Sequence, residues 1–503
     1  MASTRSILSH LRSHEVPAWW RDAKLGIFVH WTPASVPAFA PTQSDFSQLM
    51  ASRRPDALAD APYAEWYENS LRFPDSPAAR HHRSVWADRP YRSFADDFEA
   101  GLEQWDPEGW SARFAAAGAG YVVLVAKHAD GWCLWPTTVA NPNVPKWHSR
   151  RDLVGELAEA VRARGMRFGL YYSGGLDSTF CARPMGSMGD VIAAVPRGPY
   201  PAYAEAQVRE LIDRYQPSVL WNDVAWPSLA KDLWPLLAAY YDRVPDGVVN
   251  DRWMPWSPLF RLADTSIGRR ALDAAFRRQT RASGGLLPPK PPHFDYRTPE
   301  YLTFDTVQDT PWECVRGMDR SFGYNAESAP EHFLSREELL WTVVDIAAKG
   351  GNLLLNVGPR GVDAQIPDEQ LDRLRWLAAF VPPNRRAIVG TRPCPRPGSH
   401  TVEGEAVRYT ARGSHVFAFV RGTSERVTLP DVRATDATTA TAVDGIPLSW
   451  SGHPRGLQID LPPADAGEPR VAVLDNVVVH RRQHPEAGAP GPRPARHRYG
   501  GEP

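Results

Sequence analysis

A chain of 503 residues exceeds what one hydrophobic core usually holds, so two folded domains are expected. With 43% hydrophobic and 23% charged residues it reads as globular, and a formal net charge of −1 excludes the broad basic face that nucleic acid or an anionic membrane would require. Partners must therefore be selected by local chemistry.

The opening stretch, MASTRSILSHLRSHEVPAWW, lacks an apolar core followed by a small-residue cleavage site. No later stretch reaches the roughly 18 apolar residues of a spanning helix, so the reading is a cytoplasmic protein. From Lys24 onward, short apolar runs alternate with segments of helical period. KLGIFVHW (Lys24 to Trp31) is a strand, DPEGWSARFAAAGA a helix, and GYVVLVAKH (Gly120 to His128) a strand. The helix DLVGELAEAVRARG, the strand RFGLYYS, the helix AYAEAQVRELIDRY and the strand SVLWND (Ser218 to Asp223) follow. GVVNDRW, the helix SREELLWTVVDIAAKGG and the strand GNLLLNVGP (Gly351 to Pro359) complete the series. The strands lack polar alternation, as expected of parallel strands covered on both faces. Several of the helices open on Asp or Ser caps and close on Gly. No glycine-rich nucleotide loop follows the first strand, so a (β/α)8-like barrel of about eight parallel strands is expected within residues 1–380, in preference to an open sheet.

After residue 386 the pattern changes to short alternating runs such as AVRYTARG, HVFAFVRG, ERVTLPDV, LQIDLP and RVAVLDNVVV. These predict a C-terminal antiparallel β-sandwich over 386–480, followed by a Pro- and Gly-rich tail over 481–503 that reads as disordered. The four cysteines, Cys133, Cys181, Cys314 and Cys394, form no CxxC or CxxH cluster, so neither a disulfide scaffold nor a metal site is expected, and no cofactor is expected either.

Barrel enzymes carry their reacting groups at the C-terminal ends of strands. Here those ends present His30 and Trp31, His128, Tyr171 and Tyr172, Trp221 and Asp223, then Asp251 and Arg252. The chain also has 19 tryptophans and 16 tyrosines, many beside acidic or histidine residues. Aromatic faces beside polar groups suit a pyranose, although large proteins also bury many aromatics as packing. Glycoside hydrolysis needs two carboxyl groups, one ionised and one protonated, and no metal. Asp223, at the end of an apolar strand and within reach of Arg252, reads as the ionised one, or else as a loop cap.

The motifs AKLGIFVHW, PYAEWYENSLRF, KHADGWCLW, PSVLWND, VNDRW, FDYRTPEY, SFGYN and KGGNLLLNVGP occur in that order. With them the chain resembles glycoside hydrolase family 29, the α-L-fucosidases, from about Pro17 to Phe380 and more loosely through the sandwich. The resemblance implies a retaining exo-glycosidase acting on terminal α-L-fucosyl residues of an oligosaccharide or glycoside through a covalent glycosyl-enzyme intermediate. It makes Asp223 the nucleophile and puts His30, Glu65, Trp66, His128, Tyr171, Trp221 and Arg252 around the sugar. Glu300 in TPEY is its acid/base, with Glu313 in PWECVRG as the rival. A related L-sugar, or a weakly catalytic carbohydrate-binding role, is the alternative, and a homo-oligomer is left open. Three departures from the family pattern stand out. Ala129 replaces a second histidine, Thr32 replaces a glycine and is expected to add bulk near the sugar, and residues 254–293 form an insertion expected either to overhang the mouth or to be a surface loop.

Overall fold

The computed structural model describes residues 4–87 and 89–480, so the expected tail at 481–503 lies outside the described residues. Seven strands form one sheet: β1 (Leu25–Val29), β2 (Tyr121–Lys127), β3 (Arg167–Tyr172), β4 (Val219–Asn222), β5 (Val248–Val249), β6 (Glu313–Gly317) and β7 (Asn352–Val357). Their order is β5-β4-β3-β2-β1-β7-β6, and every pairing is parallel. Apart from Arg167 and Arg316, every residue of these strands is buried, which is why their sequences run apolar without alternation. Among the helices that cover the sheet, those at Pro107–Ala116, Leu153–Ala163 and Arg336–Ala348 start where the sequence signals them. Asp106, Asp152 and Ser335 accept from the N–H groups of Gly109, Gly155 and Glu338.

An irregular segment does the work of an eighth strand. Between β5 and β6, isolated parallel bridges join Asn250 to Tyr296, Arg297 to Trp312 and Glu300 to Val315. Side chains replace several of the missing ladder bonds. Asp295 Oδ2 accepts from the Val249 N–H at 2.7 Å, and Asp251 Oδ1 accepts from the Thr298 N–H at 3.1 Å. Pro299 has no N–H to give, so a regular strand cannot form through it. The β6 segment ECVRG escaped the sequence reading because a glutamate and an arginine interrupt its apolar character.

Glu313 opens β6 and is fully buried, not a loop acid. The Tyr121 hydroxyl donates to it across the barrel floor. Gly26 makes that crossing feasible, since a Cβ there would lie 2.4 Å from the Tyr121 ring.

Beyond the barrel, eight antiparallel strands follow. They are β8 (Arg392–His400), β9 (Ala406–Arg412), β10 (His415–Arg421), β11 (Arg426–Leu429), β12 (Val432–Thr441), β13 (Trp450–His453), β14 (Gly456–Asp460) and β15 (Arg470–Val479). They form a five-stranded sheet, β12-β15-β10-β9-β8, and a three-stranded one, β11-β14-β13. Val407, Val420, Leu429, Ile459 and Leu474 are part of the core between them. The other face of the larger sheet, with Phe417, Phe419, Val471 and Val473, joins the barrel's core. Ion pairs of Arg408 with Asp345 and Arg421 with Glu337 fasten it to the Arg336–Ala348 helix.

Burial pushes the Glu313 carboxyl up to about 8, against a favourable hydrogen bond from Tyr121. The folded state therefore keeps a proton that the unfolded chain releases above about pH 4.5, and this contribution to stability is lost as pH rises towards 8. Glu313→Gln is expected to flatten the decline of stability across that window by one proton's slope, about 1.4 kcal/mol per pH unit. Thermal and urea unfolding at pH 5, 6.5 and 8 check this; an unchanged slope would contradict it.

Candidate active site

A cavity of about 760 Å³ opens at the C-terminal ends of the strands. Its floor is aromatic. Phe28 of β1 lies against Tyr171 of β3 and Trp221 of β4, with ring centroids 5.8 and 5.5 Å away. Tyr171 and Trp221 stack on one another at 5.2 Å, and the Arg252 guanidinium lies 4.7 Å over the Trp221 ring.

Arg252, which follows β5, organises the acidic groups. One end of its fork donates to Asp223 Oδ1 at 2.8 Å and the other to Glu300 Oε1 at 2.5 Å, while its Nε donates to Thr298 Oγ1 at 3.2 Å. Thr298 is itself held by Asp251, so a buried chain of groups fixes the guanidinium. Burial opposes its charge, but Glu300, Asp223 and Asp251 together hold its pKa above the ordinary value. Asp223 also accepts from the Tyr171 hydroxyl at 2.8 Å and from the Val224 N–H at 2.8 Å, and stays partly open to the cavity. Glu300 is deeper, and its pKa is raised, first by burial and then by the Asp223 charge, with Arg252 opposing. The residue after each carboxylate is non-glycine with positive φ, 68° at Val224 and 49° at Tyr301. Such backbone costs of order 1–3 kcal/mol and clusters where side chains must be aimed.

The remaining expected residues surround the same cavity. His30 Nδ1 pairs with Asn356 Oδ1 at 2.6 Å, and the His128 ring stacks on Tyr171 at 5.7 Å. Burial depresses both imidazoles, His128 to about 4 and His30 well below its ordinary value. Neutral rings can both donate to and accept from hydroxyls. Among the described residues, Nδ1 of His128 has no hydrogen-bond partner. Glu65 accepts from the Gly323 N–H at 2.7 Å, and burial raises its carboxyl to about 8. Trp66 lines the wall beside it. A Cβ on Gly323 would lie 3.0 Å from the Glu65 backbone nitrogen, a tight contact that glycine avoids.

The cavity thus brings together Asp223, Glu300, His30, Glu65, Trp66, His128, Tyr171, Trp221 and Arg252, but not Glu313, which lies at the opposite end of its strand. It also contains Asp251, one of the strand-end residues, together with Phe28, Tyr63 and Phe322, which were not among the expected site residues. All three lie inside shared motifs, Phe28 in AKLGIFVHW, Tyr63 in PYAEWYENSLRF and Phe322 in SFGYN, but none is a polar or strand-end residue that would single it out. Thr32 adds no bulk to the cavity lining, contrary to the expectation. It is buried away from the cavity lining and caps the short turn Pro33–Ser35. Ala129 packs with Trp66 and Val224 against the apolar cluster of Met50, Leu58 and Val191. Among the described residues, no group of three or more His, Cys, Asp or Glu side chains is arranged to hold a metal, and no helix is long and apolar enough to cross a membrane.

A family model described as alpha-L-fucosidase matches residues 3–385. The chain belongs to the alpha-L-fucosidase family. It is thereby a glycoside hydrolase, and its barrel followed by antiparallel sheets is the architecture of that family. Tissue alpha-L-fucosidase of Homo sapiens is 29% identical over 467 residues, spanning 90% of this chain and 86% of the human protein. The Thermotoga maritima alpha-fucosidase solved in complex with fucose is 37% identical, with a TM-score of 0.75 over 93% of this chain and 98% of that one. Isoenzyme 1 of Paenibacillus thiaminolyticus, 21% identical with a TM-score of 0.64 over 93% and 99%, shares the fold.

Because burial depresses both imidazoles, neither His30 nor His128 is expected to bind a proton between pH 8 and pH 5.5. Their ¹⁵N shifts, assigned by His30→Gln and His128→Gln, should stay those of a neutral ring; a midpoint near the ordinary 6.5 at either would refute this.

Proposed function

We propose that this chain hydrolyses terminal α-L-fucosyl residues with retention of configuration, by double displacement. The observation that carries the reading is the single Arg252 fork that joins Asp223 to Glu300. One carboxylate is partly open to the cavity and receives three donors; the other is buried, with a raised pKa. That asymmetry suits a nucleophile and a proton donor. The family membership supports the sugar, since the Thermotoga relative was solved with fucose and also with a mechanism-based inhibitor.

In the first step an Asp223 oxygen forms a bond to the anomeric carbon while the bond to the leaving oxygen breaks. Glu300 gives its proton to that oxygen, and the alcohol departs. In the second step Glu300, now ionised, takes a proton from water, whose oxygen displaces Asp223 and releases the sugar. Arg252 serves both steps by countering whichever carboxylate carries charge. His30, His128 and Glu65 supply the hydroxyl partners, and Trp66 and Trp221 the apolar walls. Glu313 is not the acid/base in this reading, because it is buried under the floor with Tyr121.

Two variants separate the roles. Asp223→Gly is expected to abolish turnover of every α-L-fucoside. Glu300→Gly should spare an activated aryl fucoside most, and azide should restore its turnover with an α-fucosyl azide as product. Azide rescue at Glu313→Gly and not at Glu300→Gly would transfer the acid/base role to Glu313.

The pH profile gives an independent check. Glu300 must be protonated to act, so kcat/KM should fall as pH rises through a pKa lying above the ordinary carboxylate range. In Glu300→Gly that basic limb should vanish. Its persistence would show that another group donates the proton.

A further inference from the structure

The cavity is longer than one sugar requires. It runs without a break from Asp223 and Glu300 to a wall built by residues 258–289, within the insertion. A 3-10 helix at Pro258–Asp264 and an α-helix at Ser266–Ser283 form most of this wall, so the insertion is an ordered roof beside the mouth and not an irregular loop. We propose that this wall is an apolar leaving-group subsite, and that the preferred substrates are α-L-fucosides of aliphatic or aromatic alcohols in preference to fucosylated oligosaccharides. The inference rests on the fucosidase reading above and adds the substrate class.

The Ser266–Ser283 helix sorts its side chains by chemistry. Three of its charged groups are used against neighbouring backbone and side chains. Arg269 pairs with Asp190 at 3.1 Å, Asp273 accepts from the Gly189 N–H at 2.7 Å, and Arg281 donates to the Ala51 carbonyl at 2.8 Å. Towards the cavity, the roof presents Leu259, Phe260, Leu262, Ile267, Leu272 and Phe276. Met188, Val191 and Ile192 face them from the Met188–Ala193 helix, and Val224 extends the apolar surface to the edge of the nucleophile. Three of the roof residues remain largely exposed, Leu259 at 72%, Leu262 at 59% and Ile267 at 77%. Apolar side chains left open on a cavity wall are surface that an occupant can cover.

A sugar leaving group would find few side-chain partners here. Thr265 is the only hydroxyl-bearing side chain that the roof contributes to the lining, and no charged side chain of residues 258–289 lines it. Its Oγ1 is already engaged, accepting from the Gly268 N–H at 3.0 Å and donating to the Leu262 carbonyl at 2.9 Å. Hydroxyls pressed against this wall would lose water without gaining hydrogen bonds, whereas methylenes would gain.

A chain-length series tests this, because the leaving oxygen stays chemically the same while only apolar surface changes. For monomeric methyl, butyl and octyl α-L-fucosides, kcat/KM is expected to rise at least about tenfold from butyl to octyl, each buried methylene being worth about three- to fourfold. An α-L-fucosyl-(1→2)-galactoside should be cleaved less efficiently than the octyl fucoside. The ratio of octyl fucoside to α-L-fucosyl fluoride turnover should drop about tenfold in the double variant Leu262→Ser, Ile267→Ser, whose altered side chains are too exposed to threaten folding. A flat series, a disaccharide cleaved as well as the octyl fucoside, or an unchanged ratio would overturn the proposal. So would a flat series joined to sedimentation with phosphatidylcholine vesicles that the double variant loses, which would assign the wall to a lipid surface. Fucosyl fluoride has no leaving group that reaches the roof. No turnover of it would remove the fucosidase reading itself, while turnover with a flat series would remove only this inference.

Discussion

Arg252 is a buried cation between two carboxylates, and much of the barrel mouth is arranged around that fact. A buried guanidinium is tolerable only when its donors are filled, and breaking such a pair by removing one partner typically costs about 3–5 kcal/mol. Asp223 and Glu300 fill the two ends of the fork and Thr298 fills the Nε. Asp251, fixed between Arg297 and Thr298, adds the charge that secures the guanidinium from behind. The electrostatic requirement and the chemical one coincide, because the cation that needs two carboxylates is what brings two carboxylates together.

That requirement also accounts for the irregular closure of the barrel. Residues 295–300 must pass between β5 and β6 while delivering Thr298 and Glu300 to the mouth. A regular strand would alternate its side chains and spend its N–H groups on the ladder. Instead Asp295 and Asp251 take over ladder bonds with their carboxylates. The positive φ at Tyr301 and at Val224 lies next to the two groups whose aim matters most. Beneath them, the Tyr121 hydroxyl reaches Glu313 over Gly26 across the floor.

The roof obeys the same separation of polar and apolar surface as the barrel, but on a solvent-facing wall. The Ser266–Ser283 helix engages Asp190, Gly189 and Ala51 through Arg269, Asp273 and Arg281 and turns its apolar face to the cavity. Ala129, half-buried in the apolar cluster that also takes in Met188, Val191 and Val224, continues that surface towards Trp66. The cavity is therefore polar at one end and apolar at the other.

Six of the seven barrel strands were legible from sequence, because a strand covered on both faces declares itself as an unbroken apolar run. Most of the residues around the mouth were legible too, since they fall at the ends of those runs or inside motifs that the family shares. The sequence could not separate Glu300 from Glu313. Both are single acids in segments without clear periodicity, and only the register of 295–300 against β6 sends one to the cavity and the other beneath the floor. It could not reveal that Thr32 is a turn cap, because a threonine after a strand reads equally well as a cap or a site residue. Nor could it show Phe28 as floor or the insertion as roof. Those roles depend on which face of an element meets which neighbour, and that is decided by long-range packing and not by any local pattern along the chain.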